Sequence, residues 1–171
     1  MKVAFTLVVA IGLGIAVASS RADAQEPPPM VTGPARAVNA DTLQVGPTYV
    51  FLYGVESVER TQRCTIDGAP WACYPAAVRA LENIIGVADV TCELTGEPDY
   101  LGRWLGTCFV AGTNVAEGLA RVGFALAKRD ETLDYVAAEE AAQAEAIGLW
   151  QGEFQHPAEH RAAEGIVLDR P

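Results

Sequence analysis

The stretch VFLYGVESVE, residues 50–59, joins a β-rich segment to a long loop. Its first half belongs to a run, residues 48–55, that is dense in aromatic and β-branched side chains, and such a run favours a strand. The triplet Asn39-Ala40-Asp41 upstream is typical of a turn between two shorter strands. The second half of the stretch opens a loop over residues 57–73. Strands are therefore predicted at residues 35–38, 42–45 and 48–55, ahead of that loop.

The remainder of the chain predicts two more strands and three helices. Apolar side chains at helical spacing and a following Gly86 indicate the first helix, and Asn114 can cap the second. Strands at residues 89–94 and 103–110 form an antiparallel pair around a turn at residues 97–101. The helices are predicted at residues 74–85, 114–122 and 131–147. This order predicts an α+β fold, a five-stranded OB-fold β-barrel with three helices.

The two ends of the chain differ in composition from its middle. Residues 1–24 combine an early lysine, an apolar run and the cleavage motif Ala22-Asp23-Ala24, which predicts a signal peptide cut after Ala24. We therefore expect a secreted or periplasmic protein, with no membrane span in the mature chain. Residues 25–34 are a Pro-rich arm, residues 35–150 are the folded domain, and residues 151–171 are a polar tail expected to pack only in part.

Charge and cysteine content restrict the function further. The formal net charge of −10 disfavours a general affinity for nucleic acid, because phosphate binding draws on Lys and Arg. Four cysteines in an exported chain predict two disulfides, and the absence of a C-x-x-C spacing argues against zinc. Three pairings exist. We favour Cys92–Cys108, which face each other across the predicted strand pair, and Cys64–Cys73, which closes the long loop.

Five segments, read in order, resemble the thermonuclease (staphylococcal-nuclease-like) family. The resemblance covers residues 35–150 and implies the same fold, and it implies a calcium-dependent phosphodiesterase that acts on DNA and RNA. The segments are VNADTLQV (residues 38–45), VFLYGVESVE (residues 50–59), DYLGR (residues 99–103), NVAEGLARVGFA (residues 114–125) and GLW (residues 148–150).

The resemblance also implies a role for each matching residue. Asp41, Glu56 and the backbone carbonyl of Ser57 correspond to calcium ligands, although Glu56 stands in place of an aspartate. Glu59 matches the glutamate that acts on the attacking water, and Arg103 matches an arginine that grips the phosphate. Without the resemblance, Asp41 is simply a turn former and Arg103 a surface charge.

Phe51 stands where the family has its other catalytic arginine. The loss of one donor that meets transition-state charge costs about 10²–10³ in rate, so we expect weak or absent catalysis. The alternative is a non-catalytic OB-fold module that binds a protein, a glycan or a short oligonucleotide. Tyr49, Phe51 and Tyr53 alternate along one strand and would form its binding face.

Two polar clusters are expected to be solvated rather than functional. His156 and His160 lie four residues apart in the tail, where no acidic or cysteine partner is fixed nearby. Glu139, Glu140 and Glu145 are expected to form a wet helix face.

Overall fold

A computed structural model of the protein describes residues 29–166, which form an α+β domain. The helices are α1 (Cys73–Ile85), α2 (Val115–Arg121), α3 (Val136–Ala144) and α4 (Pro157–Glu164), with a 3-10 turn at Gly148–Gln151. The strands are β1 (Met30–Gly33), β2 (Ala35–Ala37), β3 (Thr42–Val45), β4 (Thr48–Leu52), β5 (Val55–Glu56), β6 (Cys64–Ile66), β7 (Ala69–Trp71), β8 (Val90–Thr95), β9 (Arg103–Val110), β10 (Thr113–Asn114), β11 (Leu126–Ala127) and β12 (Glu153–Phe154).

The main sheet has the strand order β1-β8-β9-β4-β3-β2, with β10 paired to β9. Strands lie at all five predicted positions, as β2, β3, β4, β8 and β9, but β1 and β10 extend the sheet to seven. β4 and β9 run parallel, whereas the other pairs are antiparallel. The α+β class is thus established, while a closed five-stranded barrel stays a prediction.

Part of the Pro-rich arm belongs to the sheet. Its residues 30–33 form β1, which pairs antiparallel with β8 from Met30 opposite Glu93 to Gly33 opposite Val90. The prolines before and after this short segment lack an N–H, so the arm can contribute only a short strand there.

α1 and α2 pack against the main sheet, on β2 and β9 respectively. Cys73, Ala77, Leu81 and Ile85 recur every fourth residue along α1 and are all buried. The side chain of Asn114 accepts a hydrogen bond from the N–H of Glu117 at 3.1 Å, which confirms the predicted cap of α2.

α3 begins at Val136, later than the predicted residue 131, because Glu131 serves the loop before it. The Glu131 carboxylate accepts the N–H of Gly54 at 2.8 Å and pairs with Lys128. The prediction that Glu139 lies on a solvated helix face is wrong, because Glu139 is only 4% exposed. Its carboxylate accepts the N–H of Ala127 at 3.2 Å and pairs with Arg129 at 2.6 Å, which satisfies the buried charge.

Both favoured disulfides are present. Cys92 lies directly opposite Cys108 in the β8–β9 register, with Cα atoms 4.0 Å apart. Cys64 and Cys73 join β6 to the first residue of α1, with Cα atoms 6.0 Å apart. The long loop is therefore tied to the domain at the place where the tail also docks.

The segment after Trp150 packs more fully than predicted. β12 pairs antiparallel with β6, and α4 follows with Pro157 and His160 buried. A hydrogen bond of 2.9 Å joins His160 Nε2 to Thr61 Oγ1, so His160 is not solvated. The polar sequence did not predict the docking of this helix, because its partners, such as Thr61, lie in the loop far away in the sequence.

The predicted signal peptide, the first part of the arm and the last tail residues lie outside the described residues. Within residues 29–166, no helix is long and apolar enough to cross a bilayer.

The backbone of Gly123 lies very close to that of Ile147, and this contact leads to a prediction about stability. Gly123 has φ +77°, and a Cβ there would lie 2.3 Å from the Ile147 carbonyl oxygen. Gly112 has φ +80° but open space around it. We expect Gly112→Ala to cost about 1–3 kcal/mol from φ alone, and Gly123→Ala to cost clearly more because backbone must also move. Urea unfolding of both variants measures the difference, and equal losses would contradict this account.

Candidate functional site

The turn between β2 and β3 presents Asp41. The Asn39 side chain accepts the N–H of Asp41 at 3.0 Å, and Thr42 Oγ1 donates to Asp41 Oδ1 at 3.1 Å. The Asp41 carbonyl accepts the N–H of Leu52 at 2.9 Å, which ties the turn to the end of β4. The triplet is therefore a turn former, as the residues alone suggest, and it also holds a carboxylate beside the loop after β5.

A small concave site, the acidic cavity, brings together three of the predicted residues. Asp41, Ser57 and Glu59 line it, and its volume is about 130 Å³. Ser57 is buried, and its hydroxyl donates to the Phe124 carbonyl at 2.6 Å. Asn39, Ala40, Val58, Arg60 and Tyr74 complete the lining.

Glu56 points to a different partner. Its side chain is 7% exposed, and its carboxylate is ion-paired with one guanidinium nitrogen of Arg161 on α4. The other terminal nitrogen of Arg161 donates to Glu59 Oε1 at 3.0 Å. His156 Nδ1 lies 3.6 Å from the second oxygen of Glu56. One guanidinium thus bridges the carboxylates of Glu56 and Glu59, which we term the acidic pair.

Arg161 remains charged in this setting. Burial by itself lowers the pKa of its guanidinium, but hydrogen bonds and charge attraction from Glu56 and Glu59 raise that pKa above the ordinary value. The side chain is 15% exposed, so water screens this interaction less than it screens a surface pair.

Arg103 occupies a second site at the parallel β4–β9 pairing, where Tyr49 lies opposite Arg103. The guanidinium carbon lies 4.8 Å from the centre of the Phe51 ring, and the guanidinium is paired with Asp99 at 2.6 Å. A cavity of about 290 Å³, the aromatic cavity, is lined here by Val38, Asn39, Thr42, Tyr49, Phe51, Leu101 and Arg103. Because Asn39 lines both cavities, they are neighbours.

The three aromatic residues of the predicted face do not act as a row. Phe51 is 3% exposed and is covered by Arg103, whereas Tyr49 is 37% exposed. Tyr53 follows β4, and its hydroxyl donates to the Glu131 carbonyl at 2.7 Å, away from the aromatic cavity. Tyr49 and Phe51 share one site and Tyr53 belongs to another.

Comparison with known proteins identifies the family of this chain. The sequence model of the staphylococcal nuclease homologue family matches residues 49–152. The chain belongs to that family. It is also 30% identical over 139 residues to the "Succinoglycan biosynthesis protein ExoI" of Rhizobium meliloti (strain 1021), covering 79% of this chain and 71% of that protein. Arg161 lies beyond the matched segment, and Asp41 lies before it.

Calcium is the metal that a staphylococcal nuclease homologue implies, and the arrangement of this chain does not fit it. Within residues 29–166, no group of three or more His, Cys, Asp or Glu side chains is placed to hold a metal ion. Asp41 lines the acidic cavity, whereas Glu56 lines a separate cavity beside α4. A calcium ion prefers six to eight oxygen ligands, and the acidic pair already holds a cation.

Arg161 is the residue that the sequence analysis missed. Its helix has a weak sequence signal, namely His156 as the cap and Pro157 at the first turn, where proline is favoured. Nothing in the local sequence indicates that Arg161 reaches residues that precede it by 105 and 102 positions.

Asp99 organises the turn before Arg103 and yields a pH prediction. Burial raises its pKa, but hydrogen bonds from the backbone and side chain of Arg103 and from the Leu101 N–H outweigh this and lower it below 3.8. A lowered pKa stabilises the fold above the unfolded value, and this stabilisation is lost as pH falls through the folded value. We expect Asp99→Asn to lower the melting temperature at pH 7 but to have little effect well below pH 3.8.

The matched control is Asp89→Asn, which removes an exposed carboxylate. Thermal unfolding is followed by circular dichroism at both pH values. A deficit of Asp99→Asn that persists unchanged at the lower pH would show that charge is not what this carboxylate contributes.

Proposed function

We propose that this chain is an exported nuclease-type hydrolase that cleaves phosphodiester bonds of DNA or RNA weakly. The observation that carries the proposal is the meeting of Asp41, Ser57 and Glu59 in one cavity that adjoins the site of Arg103. Family membership supports the same reaction class. The two disulfides agree with an oxidising compartment outside the cytoplasm.

The protein side chains divide the chemistry between the two cavities. Glu59 accepts a proton from a water molecule as the oxygen of that water attacks phosphorus. The bond from phosphorus to the leaving oxygen breaks, the leaving oxygen takes a proton from solvent, and Glu59 returns its proton to solvent. Arg103 binds the non-bridging phosphate oxygens, whose negative charge grows in the transition state. Asp41, Glu56 and Ser57 would be the calcium ligands by resemblance, but no step is assigned to the ion in this arrangement.

Three features support weak activity. Phe51 supplies no hydrogen-bond donor, so Arg103 would have to meet the phosphate charge without its usual partner. Arg103 itself is stacked on Phe51 and paired with Asp99, contacts that compete with a phosphate. The net charge of −10 also weakens attraction for a long polyanion. Short or single-stranded substrates are therefore favoured.

A purely binding module is not supported by a specific observation. Stacking on a base or a sugar needs an accessible ring. Phe51 is 3% exposed beneath Arg103, which leaves Tyr49, at 37% exposed, as the one accessible ring of the aromatic cavity. The similar Rhizobium protein is named for succinoglycan biosynthesis, but neither cavity identifies a glycan by its chemistry.

Cleavage of a fluorogenic single-stranded DNA by the oxidised mature chain (residues 25–171) tests the proposal, in calcium and in chelator. We expect slow cleavage, and we expect Glu59→Gln to reduce it about 10²–10⁴-fold because the proton acceptor is lost. Glu140→Gln, which changes an exposed glutamate of α3, is the matched control. Cleavage unaffected by Glu59→Gln, or none at high protein concentration from folded protein, would refute the assignment.

Restoring the missing donor gives a second prediction. We expect Phe51→Arg to raise the cleavage rate about 10²–10³-fold, because a guanidinium then faces the phosphate beside Arg103. Phe51→Leu keeps the site apolar and controls for repacking of a buried position. If folded Phe51→Arg gains nothing over Phe51→Leu, position 51 does not limit catalysis.

A further inference from the structure

α4 brings a cation onto the carboxylates that the family resemblance assigns to metal binding and to catalysis. The two terminal nitrogens of Arg161 contact different carboxylates, Glu59 at 3.0 Å and Glu56 more closely. Arg161 lies beyond the family-matched segment, residues 49–152.

The contact balances charge where burial makes charge costly. The Glu56 side chain is 7% exposed, and a buried carboxylate without a partner loses its hydration with nothing in return. A guanidinium presents donors in a rigid planar fork, which allows one side chain to satisfy both members of the acidic pair. A divalent cation bound at the same oxygens would bring like charge against Arg161.

We propose that Arg161 is a built-in cation that occupies the acidic pair, so that a divalent metal ion binds there only by displacing it. This inference concerns the regulation of the site described above and rests on the proposed function for its biological meaning. The physical claim is narrower. Arg161 and a metal ion compete for the oxygens of Glu56 and Glu59.

The surroundings favour displacement of the side chain while α4 stays docked. The hydrogen bond of His160 to Thr61 and the pairing of β12 with β6 hold the helix independently of Arg161. The Gln62 side chain also donates to the Gln155 carbonyl just before α4. A cavity of about 440 Å³, lined by Arg161, Glu56 and residues 127–130, gives the guanidinium room to move.

Calcium titration by isothermal calorimetry tests the competition on the oxidised mature chain (residues 25–171). We expect Arg161→Gln to bind calcium at least tenfold more tightly than the wild type. Arg121→Gln is the matched control, because Arg121 also pairs with a glutamate, Glu145, but at the exposed surface. We expect it to bind as the wild type does. The double variant Glu56→Gln, Arg161→Gln should lose the gain, since a ligand oxygen charge is removed.

Equal calcium affinity in the wild type and in folded Arg161→Gln would overturn the proposal. If Arg161→Gln fails to fold, Arg161→Lys decides instead. A lysine keeps the charge but has no fork, so it should hold the pair less well and give at least threefold tighter calcium binding than the wild type. No gain there would overturn the proposal.

The cleavage assay separates this inference from the proposed function. Tighter calcium binding in Arg161→Gln without any DNA cleavage would support the competition and reject the nuclease assignment. Calcium-dependent cleavage by the wild type with no effect of Arg161→Gln on calcium affinity would support the nuclease assignment and reject the competition.

Discussion

The buried carboxylate of Glu56 requires a positively charged partner, and this requirement determines how the candidate site is arranged. Glu56 lies on β5, within the folded domain, and is almost fully buried. Breaking a buried pair by removing one partner costs roughly 3–5 kcal/mol, so the charge of Glu56 cannot be left unpaired. The chain meets this need with Arg161, which lies 105 residues further along the sequence. The docked helix α4 therefore carries the cation that pairs with Glu56 and Glu59.

The sheet topology sets the positions of the other site residues. The parallel pairing of β4 with β9 places Arg103 beside Tyr49 and over Phe51. The turn between β2 and β3 places Asp41 in the acidic cavity, next to the start of the loop after β5. The antiparallel pairing of β5 with β11 sets Glu56 opposite Leu126 and so orients it toward α4 rather than toward Asp41. A family scaffold with matching residues can thus present them to different partners.

Local sequence patterns predicted the features that depend on residues close together in the chain, such as strands and turns. Alternation and turn residues located β2, β3, β4, β8 and β9, and the register of β8 and β9 identified Cys92 and Cys108 as a pair. The parts that were missed depend on partners distant in sequence. Glu139 looked solvated because Arg129 and the Ala127 N–H are not evident from the helix alone, and Arg161 gave no signal of its distant carboxylates.

The central claim is that Arg161 and Glu56 are energetically coupled within the folded protein. A double-mutant cycle of Arg161→Gln and Glu56→Gln, measured as free energy of unfolding in urea at pH 7 with chelator present, tests it directly. The account predicts a favourable coupling energy of about 1–3 kcal/mol, well above that of the exposed Arg121–Glu145 pair. A coupling energy within error of zero would contradict it, because the guanidinium would then not hold the buried carboxylate.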